Sequence, residues 1–168
     1  TSFTHHPYYQ LAPLEIPDNW DHELLYNLPL DDFMRVIDHA LENGYTVNWD
    51  GDVSENGYVF NPHGVAIIPA DDNLDKKTIM ASETIVPEIE TITPELRQQW
   101  FENFKTTDDH LEHITGVVKD QDGVKYYKTK NSWGTEENGT GYHYISEEYV
   151  KGKTISLVLH KNAIPKAI

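Results

Sequence analysis

Two short segments constrain the fold of this chain more than anything else in it. Asp109-His110 stands at the entrance of one strand-like run, and Lys130-Asn131-Ser132-Trp133-Gly134 closes the next, with Asn131 placed 21 residues after His110. The runs themselves cover residues 111–118 and 124–130, and Asp122-Gly123 between them is a pair that favours a tight turn. A hairpin returns the end of its second strand to the start of its first, so this spacing predicts His110 and Asn131 as neighbours. An asparagine beside a histidine has a definite use. Its side-chain oxygen accepts the proton of one ring nitrogen, which sets the tautomer and leaves the other nitrogen to face a nucleophile. Trp133 is placed to cover that hydrogen bond, and Gly134 permits a tight exit from the strand.

The other elements follow from periodicity and punctuation. In residues 30–43, Phe33, Met34, Ile37, Ala40 and Leu41 recur at helical spacing, with Pro29 upstream and Gly44 as a left-handed stop. That stripe reads as core packing, not as a cofactor site. Residues 45–49 then read as a strand. The first 25 residues, rich in Pro, His and aromatics, read as irregular structure. Residues 50–87 are turn-rich, with short strand pieces such as 65–68. Thr93 reads as an N-cap with Pro94 at the first helical position, opening a helix to about residue 104. Two more strands are expected at 142–145 and 154–160, with a turn at Asn138-Gly139. Two helices followed by mostly antiparallel strands predict one α+β domain over residues 1–168 with a partly closed β-barrel.

Charge and cysteine content exclude several functions. The 13 Lys and Arg against 28 Asp and Glu leave a net charge of -15, unsuited to nucleic acid or anionic membranes, which need a basic surface. The acidic excess reads first as a solvated surface and second as long-range attraction for cationic substrates. No apolar run approaches the ~18 residues of a membrane span. With no cysteine, disulfides and thiolate metal sites are excluded. The chain opens at Thr1 without a methionine, so the natural N-terminus is expected to be missing or processed. A cytoplasmic location is the expectation, with a secretion signal left open.

Here the motifs carry a resemblance. Lys130-Asn131-Ser132-Trp133-Gly134 followed by Gly141-Tyr142 is similar to the asparagine region of papain-superfamily cysteine peptidases. Asp109-His110 with the strand after it, as far as Gly116, resembles their histidine region, in the same order. The frame looks more specifically like the bleomycin hydrolase and aminopeptidase C branch, on Tyr26-Asn27-Leu28-Pro29-Leu30, Thr106-Thr107-Asp108-Asp109-His110 and the tail from His160 to Lys166. The likeness covers most of the chain and is loosest over residues 50–87.

That resemblance implies the C-terminal, β-rich half of a papain-like fold. It makes His110 the general base and imidazolium partner and Asn131 its orienting group, with Trp133 and Asp109 supporting. The family's nucleophilic cysteine and oxyanion-hole glutamine lie in an N-terminal helical half that this chain lacks. A thiolate is indispensable to the mechanism, so the chain alone is expected to be inactive: a fragment, cut or cloned, or a second chain that needs a partner. The resemblance further implies aminopeptidase action on peptides with a free N-terminus, no cofactor, a hexameric ring, and a C-terminal tail that reaches into the cleft. An uncovered apolar face is expected beside His110 and Trp133, where the other half would dock.

Competing readings are a non-catalytic papain-like peptide-binding or interaction module, and a metalloprotein using some of the nine histidines. No metal site emerges from the spacing. His110 and His113 are three apart on a strand and point to opposite faces, Glu112 between them notwithstanding. His5-His6 lacks a third ligand and reads as a loop feature. Asp50, Asp52, Ser54 and Asn56 resemble a calcium loop, but Glu55 and Asn61 stand where its Gly and closing Glu belong, so a solvated loop is expected. Asn138-Gly139-Thr140 is a glycosylation sequon that is sufficiently explained as a turn.

Overall fold

The computed structural model describes residues 1–17 and 19–168. The opening stretch is more ordered than its composition predicts. Strand β1 (Gln10–Pro13) pairs antiparallel with β2 (Leu24–Asn27), and Asn27 ties the start of the chain down. Its Oδ1 accepts from Phe3 N–H and its Nδ2 donates to Phe3 O, both at 2.9 Å. Asp18, within the stretch read as irregular, lies outside the described residues.

Helix α1 (Leu30–Glu42) follows the periodic stripe: Leu30, Phe33, Met34, Val36, Ile37 and Ala40 are buried, and Gly44 takes φ 77° just past its end. The chain continues through β3 (Val47–Gly51), the short β4 (Tyr58–Val59) and β5 (Val65–Ala66), and helix α2 (Lys76–Ala81). Helix α3 (Pro94–Glu102) starts as expected, with Thr93 Oγ1 accepting from Leu96 N–H at 3.2 Å. Then come β6 (His110–Lys119), β7 (Lys125–Lys130), β8 (Tyr142–Ser146), helix α4 (Glu147–Lys153), β9 (Thr154–Leu159) and a 3-10 turn at Lys161–Ala163.

Among the described residues the fold is α+β, with four α-helices where the periodicity indicated two. Helices α2 and α4 are short, six and seven residues, too short for a legible apolar stripe. Strands β3 to β9 form one mixed sheet in the order β4-β5-β8-β7-β6-β3-β9, antiparallel except where β5 meets β8. Its two edges, β4 and β9, are not paired with each other among the described residues. The core lies between α1 and this sheet, where Val47, Trp49, Ile114 and Tyr127 meet the helix's apolar face.

Two buried cations brace the periphery. Arg97 on α3 is 1 % exposed and donates to three backbone carbonyls: Ser2 O at 2.6 Å, Lys151 O at 2.7 Å, and Thr154 O. Burial pulls its guanidinium down to about 9. Lys153 is fully buried and meets Glu55 at 2.7 Å, Asp52 at 3.3 Å and Lys105 O at 2.6 Å. Asp52 therefore does not belong to a solvated loop. It is buried, and its carboxylate also accepts from Ser54 N–H and Oγ at 2.7 Å. Burial alone would raise its carboxyl; Lys153 and these donors hold it below the ordinary value.

The last residues run along the far side of β3. β9 runs antiparallel to β3, with Thr154 opposite Gly51 and Leu159 opposite Val47. Ala163 and Ile168 then pack onto the core beside α1. His110 pairs with Gly51, at the other end of β3. Four residues of strand, about 13 Å at roughly 3.3 Å each, separate the two ends. Residues up to Ile168 therefore lead away from His110 and do not enter its groove.

Candidate active site

His110 is the first residue of β6 and Asn131 follows the last residue of β7. The two strands pair antiparallel, with a bulge between Ile114 and Gly116, and Gly123 supplies φ 85° in the turn. The hairpin brings the ends together as its spacing requires. His110 Nε2 lies 2.9 Å from Asn131 Oδ1.

The orientation of the Asn131 amide is decided by its other partners. Oδ1 also accepts from Ser132 N–H at 2.7 Å, while Nδ2 donates to Glu112 Oε1 at 3.0 Å and Tyr58 Oη at 2.8 Å. With an oxygen facing it, His110 must donate from Nε2, leaving Nδ1 as the lone-pair nitrogen on the outer side. The Trp133 ring stacks on His110, centroids 5.2 Å apart at 28°, and its edge contacts fall on Phe60 and Tyr58. Trp133 is 44 % exposed, so one face of the stack is open. Gly134 takes φ 76° at the exit.

Beneath this pair lies a network that sequence reasoning did not find. Glu112, two residues after His110 on the same inward face, is 3 % exposed. Tyr58 donates to its Oε1 at 2.5 Å and His143 Nε2 donates to its Oε2 at 2.5 Å. With Asn131 Nδ2, three donors satisfy one buried carboxylate, whose Oε1 is 4.0 Å from His110 Nε2. Burial, and then the Glu112 carboxylate, push the Tyr58 phenol far above its ordinary value. His143 Nδ1 has no hydrogen-bond partner among the described residues. Inward alternation could have marked Glu112 as buried; nothing local marks Tyr58 or His143, which arrive from β4 and β8.

Outside the pair, Asp50, Asp108, Asp109, Leu111 and Ser132 line an open groove against His110. Asp109 accepts from Thr107 Oγ1 at 2.8 Å, and burial, reinforced by Asp52, raises its carboxyl. His113 points to the other face and meets Thr46 Oγ1 at 2.6 Å, so it shares nothing with His110. Leu111 is exposed beside the site. The sequon turn is internally bonded: Asn138 Nδ2 donates to Tyr142 O at 2.7 Å. His5 and His6, read as lacking a third ligand, both meet Glu15 at 3.0 Å.

The chain is similar to known proteins along nearly its whole length. Residues 3–168 match the Peptidase C1-like family. Aminopeptidase E of Lactobacillus helveticus is 22% identical over 167 residues, covering 96% of this chain and 34% of its own length. The crystal structure of PepW from Lactobacillus rhamnosis superposes with a TM-score of 0.63 at 20% identity, over 97% of this chain and 34% of that one. The chain thus spans about a third of the length of the relatives it matches.

Proposed function

Since the chain belongs to the Peptidase C1-like family, we propose that it supplies the histidine–asparagine side of a thiol-dependent aminopeptidase whose nucleophilic cysteine comes from a helical half outside these 168 residues. The observation that carries the reading is the 2.9 Å contact between His110 Nε2 and Asn131 Oδ1, with Trp133 stacked over it. In this reading Nδ1 of His110 faces the cysteine and takes its proton, forming a thiolate–imidazolium pair. The thiolate attacks the peptide carbonyl; His110 returns the proton to the departing amine; water, activated by the same ring, releases the acyl group. Asn131 keeps the ring in register through the cycle.

The Asp50, Asp108 and Asp109 groove suits the ammonium of a free N-terminus and supports exopeptidase over endopeptidase action. The half-exposed Trp133 and the exposed Leu111 are where the cysteine-bearing half would dock. A hexameric assembly belongs to the same proposal.

The test uses the complete reading frame and aminoacyl fluorogenic substrates. The whole protein should cleave them, lose activity to iodoacetamide, and fall by roughly a thousandfold or more on His110→Ala. The 168-residue chain alone should be inert. Iodoacetamide-sensitive cleavage by the short chain, or a whole protein indifferent to His110→Ala, would overturn the reading. A reading frame without a cysteine-bearing half would favour the peptide-binding module instead.

A further inference from the structure

The opening segment holds a cluster with chemistry unrelated to the His110 site. His5 Nε2 lies 3.0 Å from Glu15 Oε2, and His6 Nε2 lies 3.0 Å from Glu15 Oε1 and 3.2 Å from Oε2. Two consecutive imidazoles, ring centroids 4.1 Å apart, thus aim the same nitrogen at one carboxylate. The three ligand atoms all lie within 4.8 Å of one another. Desolvation alone would raise the Glu15 carboxyl; the two histidine contacts hold it below its ordinary value.

We propose that His5, His6 and Glu15 bind one divalent transition-metal ion of the zinc type, through the two Nε2 atoms and a carboxylate oxygen. Zinc takes nitrogen at about 2.0–2.1 Å and carboxylate oxygen at about 2.0–2.2 Å, which puts tetrahedral ligands roughly 3.3 Å apart. The Nε2-to-carboxylate separations are already close to that edge. Two imidazoles with one carboxylate select zinc-like ions over calcium or magnesium, which prefer all-oxygen shells. The Glu15 side chain is 57% exposed, so the fourth position opens to water.

Binding changes the protonation pattern in a defined way. In this arrangement both rings face a carboxylate and donate from Nε2. A metal needs those lone pairs, so each neutral ring keeps one proton and carries it on Nδ1 instead. His5 Nδ1 faces both ends of the Gln98 amide, Nε2 at 2.8 Å and Oε1 at 3.2 Å, so Oε1 accepts from Nδ1 only once the ring turns away from Nε2. Gln98 is 6% exposed on α3, and its amide is fixed by Thr4 N–H at 2.7 Å and Glu102 Oε1 at 2.9 Å. After that turn Oε1 serves as the outer partner that fixes tautomer and orientation in a metal-bound histidine. The ion would clip His5 and His6 to Glu15 within the opening segment, which the Gln98 contacts hold beside α3.

Calorimetric titration of the tag-free chain with zinc sulfate at neutral pH tests this. One equivalent should bind and raise the melting temperature, since a ligand held only by the native state stabilises it. His6→Ala and Glu15→Gln, which spare the Gln98 contact, should each weaken binding at least about tenfold. Replacing His39, half-buried on α1, should change nothing. Cobalt should give a visible absorption band that His6→Ala removes, an independent readout if a variant's melt shifts by itself. Absence of binding, or affinity and cobalt spectrum untouched by His6→Ala and Glu15→Gln, would overturn the proposal and leave a hydrogen-bonded trio only. Neither outcome depends on peptidase activity.

Discussion

Glu112 holds Asn131 from below: Asn131 Nδ2 donates to Glu112 Oε1 at 3.0 Å, and the opposite end of the same amide therefore faces His110. A buried carboxylate thus decides which end of an asparagine a histidine meets. Glu112→Ala should strand three donors, on Asn131, Tyr58 and His143, and cost about 3 kcal/mol of stability in urea melts. It should also remove the Nε2–H tautomer of His110 from long-range proton–nitrogen spectra of the 168-residue chain, with Glu112→Gln retaining part of the signal. An unchanged His110 spectrum in a folded Glu112→Ala chain would mean that the carboxylate does not position the pair.

Stability should depend on pH through Glu88. Burial, with Glu148 adding to it, raises this carboxyl from the ordinary 4.5 to about 7, against hydrogen bonds from Ser146 and Ile68 N–H. The folded state therefore holds the proton more tightly than the unfolded state. Its contribution is full below about 4.5 and is lost as pH rises through about 7. Allowing for partial solvent screening, the loss should be about 2 kcal/mol between pH ~5 and pH ~8. Glu88→Gln should flatten that slope in denaturant melts; an equal slope in the variant would assign the dependence to other groups.

Arg97 joins three carbonyls from Ser2, Lys151 and Thr154. Arg97→Met keeps most of the apolar stem but leaves buried acceptors unpaired, and should destabilise by about 3 kcal/mol. Proteolysis should then begin in the opening residues. A melt within about 0.5 kcal/mol of wild type would show that the carbonyls find other donors.

Trp133 is half exposed, so Trp133→Ala should cost about 1 kcal/mol, well under the roughly 3–5 kcal/mol of a buried tryptophan. Association with the cysteine-bearing half, or activity of the whole protein, should suffer first. A collapsed melt with unchanged association, by sedimentation, would count against a docking role for this face.

What was legible in the sequence was whatever local spacing dictates. A turn pair between two strand-like runs was enough to juxtapose His110 and Asn131, because an antiparallel hairpin leaves no other arrangement of its ends. Helix α1 was legible for the same reason, its apolar stripe repeating over thirteen residues. Only the tertiary structure decided the rest. Glu112 reads as one acidic residue in a strand until Tyr58 and His143 arrive from 54 and 31 residues away. Glu15 reads as loop until the chain folds it back onto His5 and His6. Arg97 and Lys153 carry no mark of burial in the sequence; only the packing of α3 and α4 encloses them. A buried polar group is stabilised by partners that no sequence window contains, whereas a hairpin or an amphipathic helix carries its own instructions within one.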